Sequence, residues 1–208
     1  MTEEPARRRY DSLRRTAQAQ QTSAEIASAA RRLFVTKGWA ATTVRDVARE
    51  AGVSVPTVYA AYGNKNGLTW ALADAADLSA DLSRLLAELE DAPEPAAQLA
   101  AMAAYARRLF ERAGEVIVLV REAGRTEPEL AQSYRDARAR ADDAHRQVFT
   151  AWPPGALRHD LPTALDIYAA ICNIDVYTEL TVERRWPPAR VEKWWADTLT
   201  RELLTETA

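Results

Sequence analysis

The residues best suited to chemistry lie between positions 43 and 62, where hydroxyl and phenol side chains occur at helical spacing. Thr57, Tyr59 and Tyr62 carry donors that suit phosphate oxygen, and phosphate contacts position a protein on a duplex. Val55 and Pro56 add an apolar surface beside them. The segment therefore offers hydrogen bonding and apolar contact, and it lacks the residue pairs that catalysis needs.

Two short helices separated by a turn are predicted to position these side chains. Thr43 can cap the first helix, with Asp46 three residues later at the positive end of the helix dipole. Gly52 permits the positive φ that such a turn often needs, and Ser54 can cap the second helix. This is the arrangement of a helix-turn-helix, which leaves Val55, Pro56, Thr57, Tyr59 and Tyr62 facing outward. An αα-corner with incidental capping is the alternative.

The rest of the chain is also predicted to be helical, because no stretch shows sustained period-2 alternation with β-branched residues. Gly and Pro divide it into about nine helices, so the fold class is all-α. The second expected helix starts behind Thr42 or Thr43 and ends before Gly52. The others cover about 24–37, 54–60, 65–90, 96–113, 114–123, 128–152, 162–183 and 188–205.

Composition excludes several classes of protein. One cysteine, Cys172, cannot form an internal disulfide, and with two histidines it cannot complete a zinc finger, so neither a metal nor a cofactor is expected. The aliphatic run 116–120 is too short to cross a membrane, which together with the free cysteine favours a cytoplasmic location. No glycine-rich phosphate loop, nucleophile elbow or HExxH motif occurs, so the protein is not expected to be an enzyme.

Charge is distributed unevenly along the chain. The formal net charge is −3, yet residues 1–70 carry +5 and residues 71–208 carry −8. Such an asymmetry suggests two modules with different partners, the basic one suited to phosphate. Chance, together with an arginine-rich tail, is the alternative. The tail holds Arg7, Arg8, Arg9, Arg14 and Arg15, and it is either an arm that reaches a neighbouring groove or a solvated leader.

The segment 24–72 resembles the TetR/AcrR family of transcriptional regulators. The resemblance rests on four short stretches: Lys37-Gly38-Trp39, Thr42 to Ala48, Ala51 to Ser54, and Thr57-Val58-Tyr59, followed by Asn64-Lys65 before Leu68. It implies a three-helix DNA-binding domain over 23–70, preceded by a flexible arm over 1–22. Helix four would join it to a helical ligand-binding and dimerisation domain over 71–208. Asn66-Gly67 departs from the family's acidic-Ala pair.

The resemblance also implies roles for individual residues at a DNA operator. Helix three would enter the major groove, with Thr43 and Tyr59 on phosphates and Lys65 on phosphate at the start of helix four. Arg45 would lie near base edges and could read guanine bidentately. The full set of expected DNA-binding residues is Thr43, Arg45, Ser54, Val55, Pro56, Thr57, Tyr59, Tyr62 and Lys65.

Helices eight and nine are expected to form a homodimer interface. Helix eight is apolar on two faces, and such a helix needs two packing partners. Helix nine adds a broad apolar stripe with two adjacent tryptophans, residues that often anchor interfaces. A central position in a monomer core is the alternative. The expected interface residues are Ile167, Ile171, Ile174, Val191, Trp194, Trp195, Leu199 and Leu203.

Polar or aromatic residues within otherwise apolar helices mark a candidate effector pocket, although core or rim packing is the alternative for each. They are Tyr105, Arg121, Tyr134, His145, Tyr168 and Asn173. The sequence therefore predicts a DNA-binding transcriptional regulator, a repressor released from a palindromic operator by a small-molecule effector. The alternative is a helical DNA-binding regulator without an inducer, controlled by its abundance or by a protein partner.

Overall fold

In the computed structural model, the backbone is described for residues 4–79 and 81–205, and side chains for residues 14, 16–75 and 81–205. The chain divides into two compact units, Met1–Leu72 and Ala73–Ala208. The described part is helical apart from one antiparallel β-bridge, between Leu157 and Leu204, which confirms the predicted all-α class.

The first unit contains α1 (Glu4–Lys37), α2 (Val44–Glu50), α3 (Val55–Tyr62) and the start of α4 (Lys65–Ser79). One apolar face of α1 supplies Ile26 and Phe34 to the core, Val47 comes from α2, and Val58 comes from α3. All four are at most 2% exposed, so the long α1 and the short α2 and α3 share one core. Between α2 and α3, Gly52 has a φ of +67°, which a residue with a Cβ rarely adopts.

The first helix begins at Glu4, whereas the expected start near Ala24 left residues 1–22 as a flexible arm. Residues 6–37 contain neither Pro nor Gly and are rich in Ala, Arg and Gln, which are strong helix formers. The helix therefore continues through the arginine-rich segment from Glu4 onward. Arg14 is exposed there, and the side chains of Arg7, Arg8, Arg9 and Arg15 lie outside the described residues.

The second unit continues with α5 (Leu82–Glu90), α6 (Pro95–Ala123) and α7 (Pro128–Thr150), followed by α8 (Leu161–Ile171), α9 (Ile174–Thr178) and α10 (Pro188–Leu203). A π-helical turn, Glu179–Glu183, follows α9. Four predicted helices differ from these bounds. The expected helix over 65–90 is two helices, those over 96–113 and 114–123 are one, and that over 162–183 is broken after α8.

Local contacts explain two of these differences. Gly114, expected to separate two helices, lies within α6, and a Cβ there would lie 2.8 Å from Cδ1 of Ile174. This glycine therefore permits close approach of α6 and α9. Asn173 separates α8 from α9, because its side chain accepts hydrogen bonds from the backbone N–H groups of Asp175 and Val176, both at 3.0 Å.

The core of the second unit is centred on α6 and α10. Trp195 is fully buried, and its ring lies 6.0 Å from both Phe110 and Tyr177, measured between centroids. Arg107 Nε donates to Glu192 Oε2 at 2.9 Å and ties the same two helices at their edge. Elsewhere in the unit, Thr205 N donates to the Ala156 carbonyl at 3.0 Å, beside the β-bridge.

Candidate functional site

A capping box fixes the start of α2. Thr43 Oγ1 accepts a hydrogen bond from the Asp46 amide at 3.1 Å, and Asp46 Oδ2 accepts from the Thr43 amide at 3.0 Å. Thr43 Oγ1 also donates to Asp46 Oδ2 at 2.7 Å. These hydrogen bonds from Thr43 hold the pKa of Asp46 below its ordinary value. Thr43 thus positions α2, and its contact with phosphate stays a prediction.

Ser54 and Thr57 organise the first turn of α3. Ser54 Oγ accepts a hydrogen bond from the Thr57 amide at 3.3 Å, and the two hydroxyl oxygens are 2.8 Å apart. Pro56 lies in the same turn, where the early amides have no intrahelical acceptor, so its missing N–H costs nothing. Two hydroxyl groups therefore stand together at the N-terminus of α3.

One face of α2 and α3 is open to solvent. Arg45 and Pro56 are exposed, Tyr59 retains 50% of its accessible surface, and Val55 is partly exposed. Val58 is 1% exposed and anchors α3 from the opposite side. Among the residues that the structure describes, Arg45 has neither a hydrogen bond nor an ion pair. Its guanidinium is therefore available for a partner outside the chain.

The neighbouring arginines differ from Arg45 in this respect. Arg49 forms an ion pair with Asp46, and Arg32 Nη2 lies 3.2 Å from Glu50 Oε1. Exposed pairs of this kind contribute little to stability. They nevertheless engage the guanidinium groups of Arg49 and Arg32 within the chain.

Tyr62 has a different role from the predicted one. Its hydroxyl donates a hydrogen bond to the Ser23 carbonyl at 2.7 Å and so ties the end of α3 to α1. Burial raises the pKa of this phenol above its ordinary value. Because the hydroxyl proton is already donated within the chain, we expect Tyr62 to hold α3 against α1 rather than to donate to DNA phosphate. The outward-facing pattern in the sequence could not show that α1 lies within reach.

Lys65 lies in the first turn of α4 and is held there by Trp39. Its Nζ lies 3.6 Å from the centroid of the Trp39 ring, a cation–π contact. Trp39 Nε1 in turn donates to Thr69 Oγ1 at 2.9 Å, and Thr69 Oγ1 donates to the Lys65 carbonyl at 2.9 Å. The indole ring therefore contacts the Lys65 ammonium directly, and it is linked to the Lys65 carbonyl through the Thr69 hydroxyl.

Three of the predicted pocket residues cluster in the second unit. The ring of His145 lies 4.3 Å from that of Tyr168, and burial lowers the pKa of His145 to about 4. Burial raises the pKa of Tyr168 well above its ordinary value, with smaller contributions from Cys172 and Tyr105. Tyr168 donates a hydrogen bond to Cys172, whose pKa burial raises to about 12. The cluster is therefore uncharged at neutral pH.

The other three predicted pocket residues form hydrogen bonds with other groups of the second unit. Arg121 donates two hydrogen bonds to Asp175, at 2.7 and 2.9 Å, and also interacts with Tyr134. Asn173 uses both amide hydrogens on the Ala169 and Ala170 carbonyls, and its oxygen accepts the two N–H groups at the start of α9. Asn173 is therefore a helix cap in this structure, and its contact with a ligand stays a prediction.

Most of the predicted interface residues lie inside one protomer. Ile174 is 5% exposed, and four residues of α10 have no exposed surface: Val191, Trp195, Leu199 and Leu203. The prediction that these five contact a second subunit is therefore wrong. Helical periodicity places them on one stripe of α10 but does not say what the stripe packs against. Ile167, Ile171 and Trp194 are only partly buried, and their role in an interface stays a prediction.

Two features of the second unit were not predicted. Arg108 on α6 is only 3% exposed although it stands in a run rich in charge, which gave no signal of burial. An open cleft of about 320 Å³ lies along the connection from α7 to α8, lined by Phe149, Trp152, Pro153 and Pro154 among others. None of the predicted pocket residues lines it.

The described residues contain neither a membrane-spanning helix nor a cluster of metal-binding side chains. No helix there combines the length and the apolar character needed to cross a membrane. Within the same residues, no group of three or more His, Cys, Asp and Glu is arranged to hold a metal ion.

Curated relatives of the chain are transcriptional regulators. It is 28% identical to the HTH-type transcriptional regulator TtgR of Pseudomonas putida over 181 residues, which cover 84% of each chain. It is 27% identical to the probable HTH-type transcriptional regulator ArpR of Pseudomonas putida over 179 residues, which cover 83% of this chain and 84% of the other.

Solved structures share the fold. NalD of Pseudomonas aeruginosa, the secondary repressor of the MexAB-OprM multidrug efflux pump, superposes with a TM-score of 0.72 at 20% identity, covering 92% of this chain and 100% of the other. A transcriptional regulator from Saccharomonospora viridis in complex with choline also gives a TM-score of 0.72, at 19% identity, covering 90% and 100%.

The family described as bacterial regulatory proteins, tetR family, matches residues 26–79, which contain α2, α3 and the residues that position them. The match, the curated relatives and the helix-turn-helix geometry agree. Residues 26–79 therefore match the tetR family of bacterial regulatory proteins, and the chain as a whole is similar to HTH-type transcriptional regulators rather than to enzymes.

Proposed function

We propose that this protein is a homodimeric repressor that binds a palindromic operator and is released from it by a small-molecule effector. Each protomer places α3 in the major groove, and two-fold symmetry of the dimer matches two half-sites. The observation that carries the proposal is the solvent-exposed face of α2 and α3, where Arg45 has no partner among the described residues and Tyr59 is half exposed.

The proposed contacts of this face are of two kinds: some position the protein on the DNA backbone, and others read the base sequence. Lys65, oriented by Trp39, binds a phosphate at the N-terminus of α4, where the helix dipole adds attraction. Tyr59 and Thr43 donate to neighbouring phosphates, and such contacts fix register without reading sequence. Ser54, Val55, Pro56 and Thr57 lie against base edges, where apolar atoms suit thymine methyl groups.

Arg45 is the residue that reads a base in this proposal. A guanidinium can donate two hydrogen bonds to the O6 and N7 atoms of guanine, and a good bidentate pair contributes about 1–3 kcal/mol of discrimination. Arg49, on the same helix, is bound to Asp46 and serves as the matched control.

Dimerisation in this proposal uses the outer faces of α8 and α10. Ile167, Ile171 and Trp194 are partly exposed there, and Trp186 stands perpendicular to Trp194 with 6.3 Å between ring centroids. Aromatic anchors of this kind dominate many interfaces. The arrangement supports a second copy of the chain as the partner.

The uncharged cluster of Tyr105, His145 and Tyr168 supports an effector site in the second unit. Residues 135–141 of α7, which precede His145, are exposed to solvent. Of the related structures, that from Saccharomonospora viridis holds a small molecule, choline.

The second candidate function is a DNA-binding regulator without an inducer. A screen of a metabolite panel for thermal stabilisation distinguishes the two candidates, since a ligand that binds the native state raises its stability.

Selection of bound duplexes from a random pool tests the proposal. We expect a palindrome with half-sites about one helical turn or more apart. Arg45→Ala should relax the preference at one base pair of each half-site, whereas Arg49→Ala should leave the preference unchanged. Lys65→Ala should weaken binding to all sequences and reduce the salt slope by about 1. The absence of any enriched palindrome would contradict the proposal.

A further inference from the structure

Arg108 is a buried arginine whose Nε–H group has no hydrogen-bond acceptor among the described residues. Its side chain is 4% exposed, and its only ion-pair partner among the described residues is Glu88 on α5. Nη2 lies 3.0 Å from Glu88 Oε2, and Nη1 lies 3.4 Å from Oε1. The Nε–H group is buried and has no acceptor. Buried polar groups are usually hydrogen-bonded, so this one calls for an explanation.

The geometry leaves one edge of the guanidinium unused. Glu88 binds end-on, across Nη1 and Nη2, while the adjacent edge carries the unpaired Nε–H beside Nη2. The fork of an arginine suits a carboxylate bound through two parallel hydrogen bonds. Glu88 is also shared, because it accepts a hydrogen bond from Arg84 Nε at 2.7 Å. Burial tends to raise its pKa, but the bonds from Arg108 and Arg84 outweigh this and lower it, so Glu88 stays ionised.

The element that covers Arg108 is weakly held. α5 has nine residues and none of them is buried. It packs on α6 through the partly buried Leu85 and Leu89, while Leu82 and Leu86 are more than half exposed. The N-cap residue of α5, Asp81, has a φ of +59°, and its carboxylate accepts a hydrogen bond from the Arg84 amide at 3.3 Å. Elements with few buried contacts open at low free-energy cost.

We propose that Arg108 binds the carboxylate group of a small organic anion, which enters between α5 and α6 and bonds to the Nε and Nη2 edge. Glu88 holds the guanidinium by its other edge, and its negative charge disfavours a second carboxylate beside it. The apolar part of the ligand packs against Leu85 and Leu89. This inference rests on the proposed function in one respect, since it assigns the effector to the class of organic carboxylates.

The test compares carboxylates with their uncharged amides. Octanoate, phenylacetate and benzoate, each paired with its primary amide, are titrated into the full-length protein while its melting temperature and heat of binding are recorded. We expect the acids to raise the melting temperature and the amides to leave it unchanged. Glu88→Gln, which removes the competing charge, should tighten acid binding at least about fivefold, and Arg108→Gln should abolish it.

A second arginine variant keeps the test decisive if Arg108→Gln fails to fold. Arg108→Lys retains a charge for Glu88 but lacks the planar fork, and we expect loss of acid binding with native far-ultraviolet circular dichroism. Acid binding that survives in Arg108→Lys at wild-type affinity would overturn the proposal. So would acids that bind neither the wild type nor Glu88→Gln.

DNA binding is measured separately, so that the two proposals fail independently. If the palindrome is bound and the acids are not, the carboxylate site is wrong and the repressor stands. If the acids bind through Arg108 but leave operator affinity unchanged, the site stands and its role as effector site is wrong.

Discussion

The Nζ atom of Lys65 lies 3.6 Å from the centroid of the Trp39 ring, and the same indole donates a hydrogen bond to Thr69 one turn further along α4. An exposed lysine on a flexible stem would lose rotamer entropy on binding phosphate. Trp39 removes part of that cost in advance, because it holds the ammonium at the N-terminus of α4. The tryptophan is therefore a positioning residue for the proposed phosphate contact.

Replacement of Trp39 by Leu should weaken operator binding about two- to fivefold, which corresponds to the roughly 0.5–1 kcal/mol of an exposed cation–π contact. Trp39→Phe keeps a ring face for the ammonium and should lose less. In a Lys65→Ala background, Trp39→Leu should have little further effect on affinity, measured by fluorescence anisotropy with labelled duplex. Equal losses in both backgrounds would show that Trp39 does not act through Lys65.

Tyr59 and Tyr62 form a matched pair, since each loses one hydroxyl on replacement by Phe. Tyr62→Phe removes the hydrogen bond to Ser23 and should lower the free energy of unfolding by about 1 kcal/mol, with DNA affinity unchanged. Tyr59→Phe should leave stability unchanged and weaken DNA binding several-fold. Urea unfolding and operator titration give the two quantities, and the reverse pattern would refute both assignments.

Gly67 should resist replacement by Ala, although Ala is the better helix former by about 1 kcal/mol. A Cβ at this position would overlap the carbonyl oxygen of Tyr62, and backbone cannot move as a side chain can. We expect Gly67→Ala to cost about 1–3 kcal/mol of stability. Gly114→Ala is the control, because its Cβ meets only the flexible end of Ile174. A more stable Gly67→Ala protein would contradict this packing.

The stability of the second unit should depend on pH through His145. Burial lowers its pKa to about 4, whereas an unfolded histidine has a pKa near 6.5. The unfolded state therefore binds the proton more readily, and stability falls as the pH decreases from 6.5 towards 4. Between pH 7 and pH 5 the loss should be about 2 kcal/mol larger in the wild type than in His145→Gln.

Nuclear magnetic resonance provides the direct check of this prediction. The His145 ring should titrate near pH 4 in the folded protein, with Asp142 raising and Arg138 lowering the midpoint by smaller amounts. A midpoint near 6.5, together with equal pH dependence of the two proteins, would show that the imidazole is solvated.

Local features of the fold were predictable from the sequence. Thr43 and Ser54 are caps, and Gly52 has positive φ, because each of these properties depends on neighbours within a few residues. Long-range partners were not predictable in the same way. Nothing in the residue pattern shows that Tyr62 reaches a carbonyl on α1, or that Trp39 covers Lys65, since those pairs are 39 and 26 positions apart.

The second unit was harder to predict for a related physical reason. An apolar stripe on α10 indicates burial, but burial in one chain and burial between two chains select the same residue types. Trp194 and Trp195 are adjacent, and only the packed structure separates the half-buried ring from the fully buried one. The burial of Arg108 was not predictable from its residue type, since arginine is almost never fully buried.

Because the bridge between Leu157 and Leu204 involves a residue late in the chain, the second unit can complete its fold only late in synthesis. The core of the second unit includes Leu99 and extends to Leu203 and Leu204, so it cannot close until the ribosome has released residue 204. The core of the first unit is complete at Leu72. Domains fold as units, the N-terminal one first. The helices that carry the proposed DNA contacts are therefore complete while the rest of the chain is still being made.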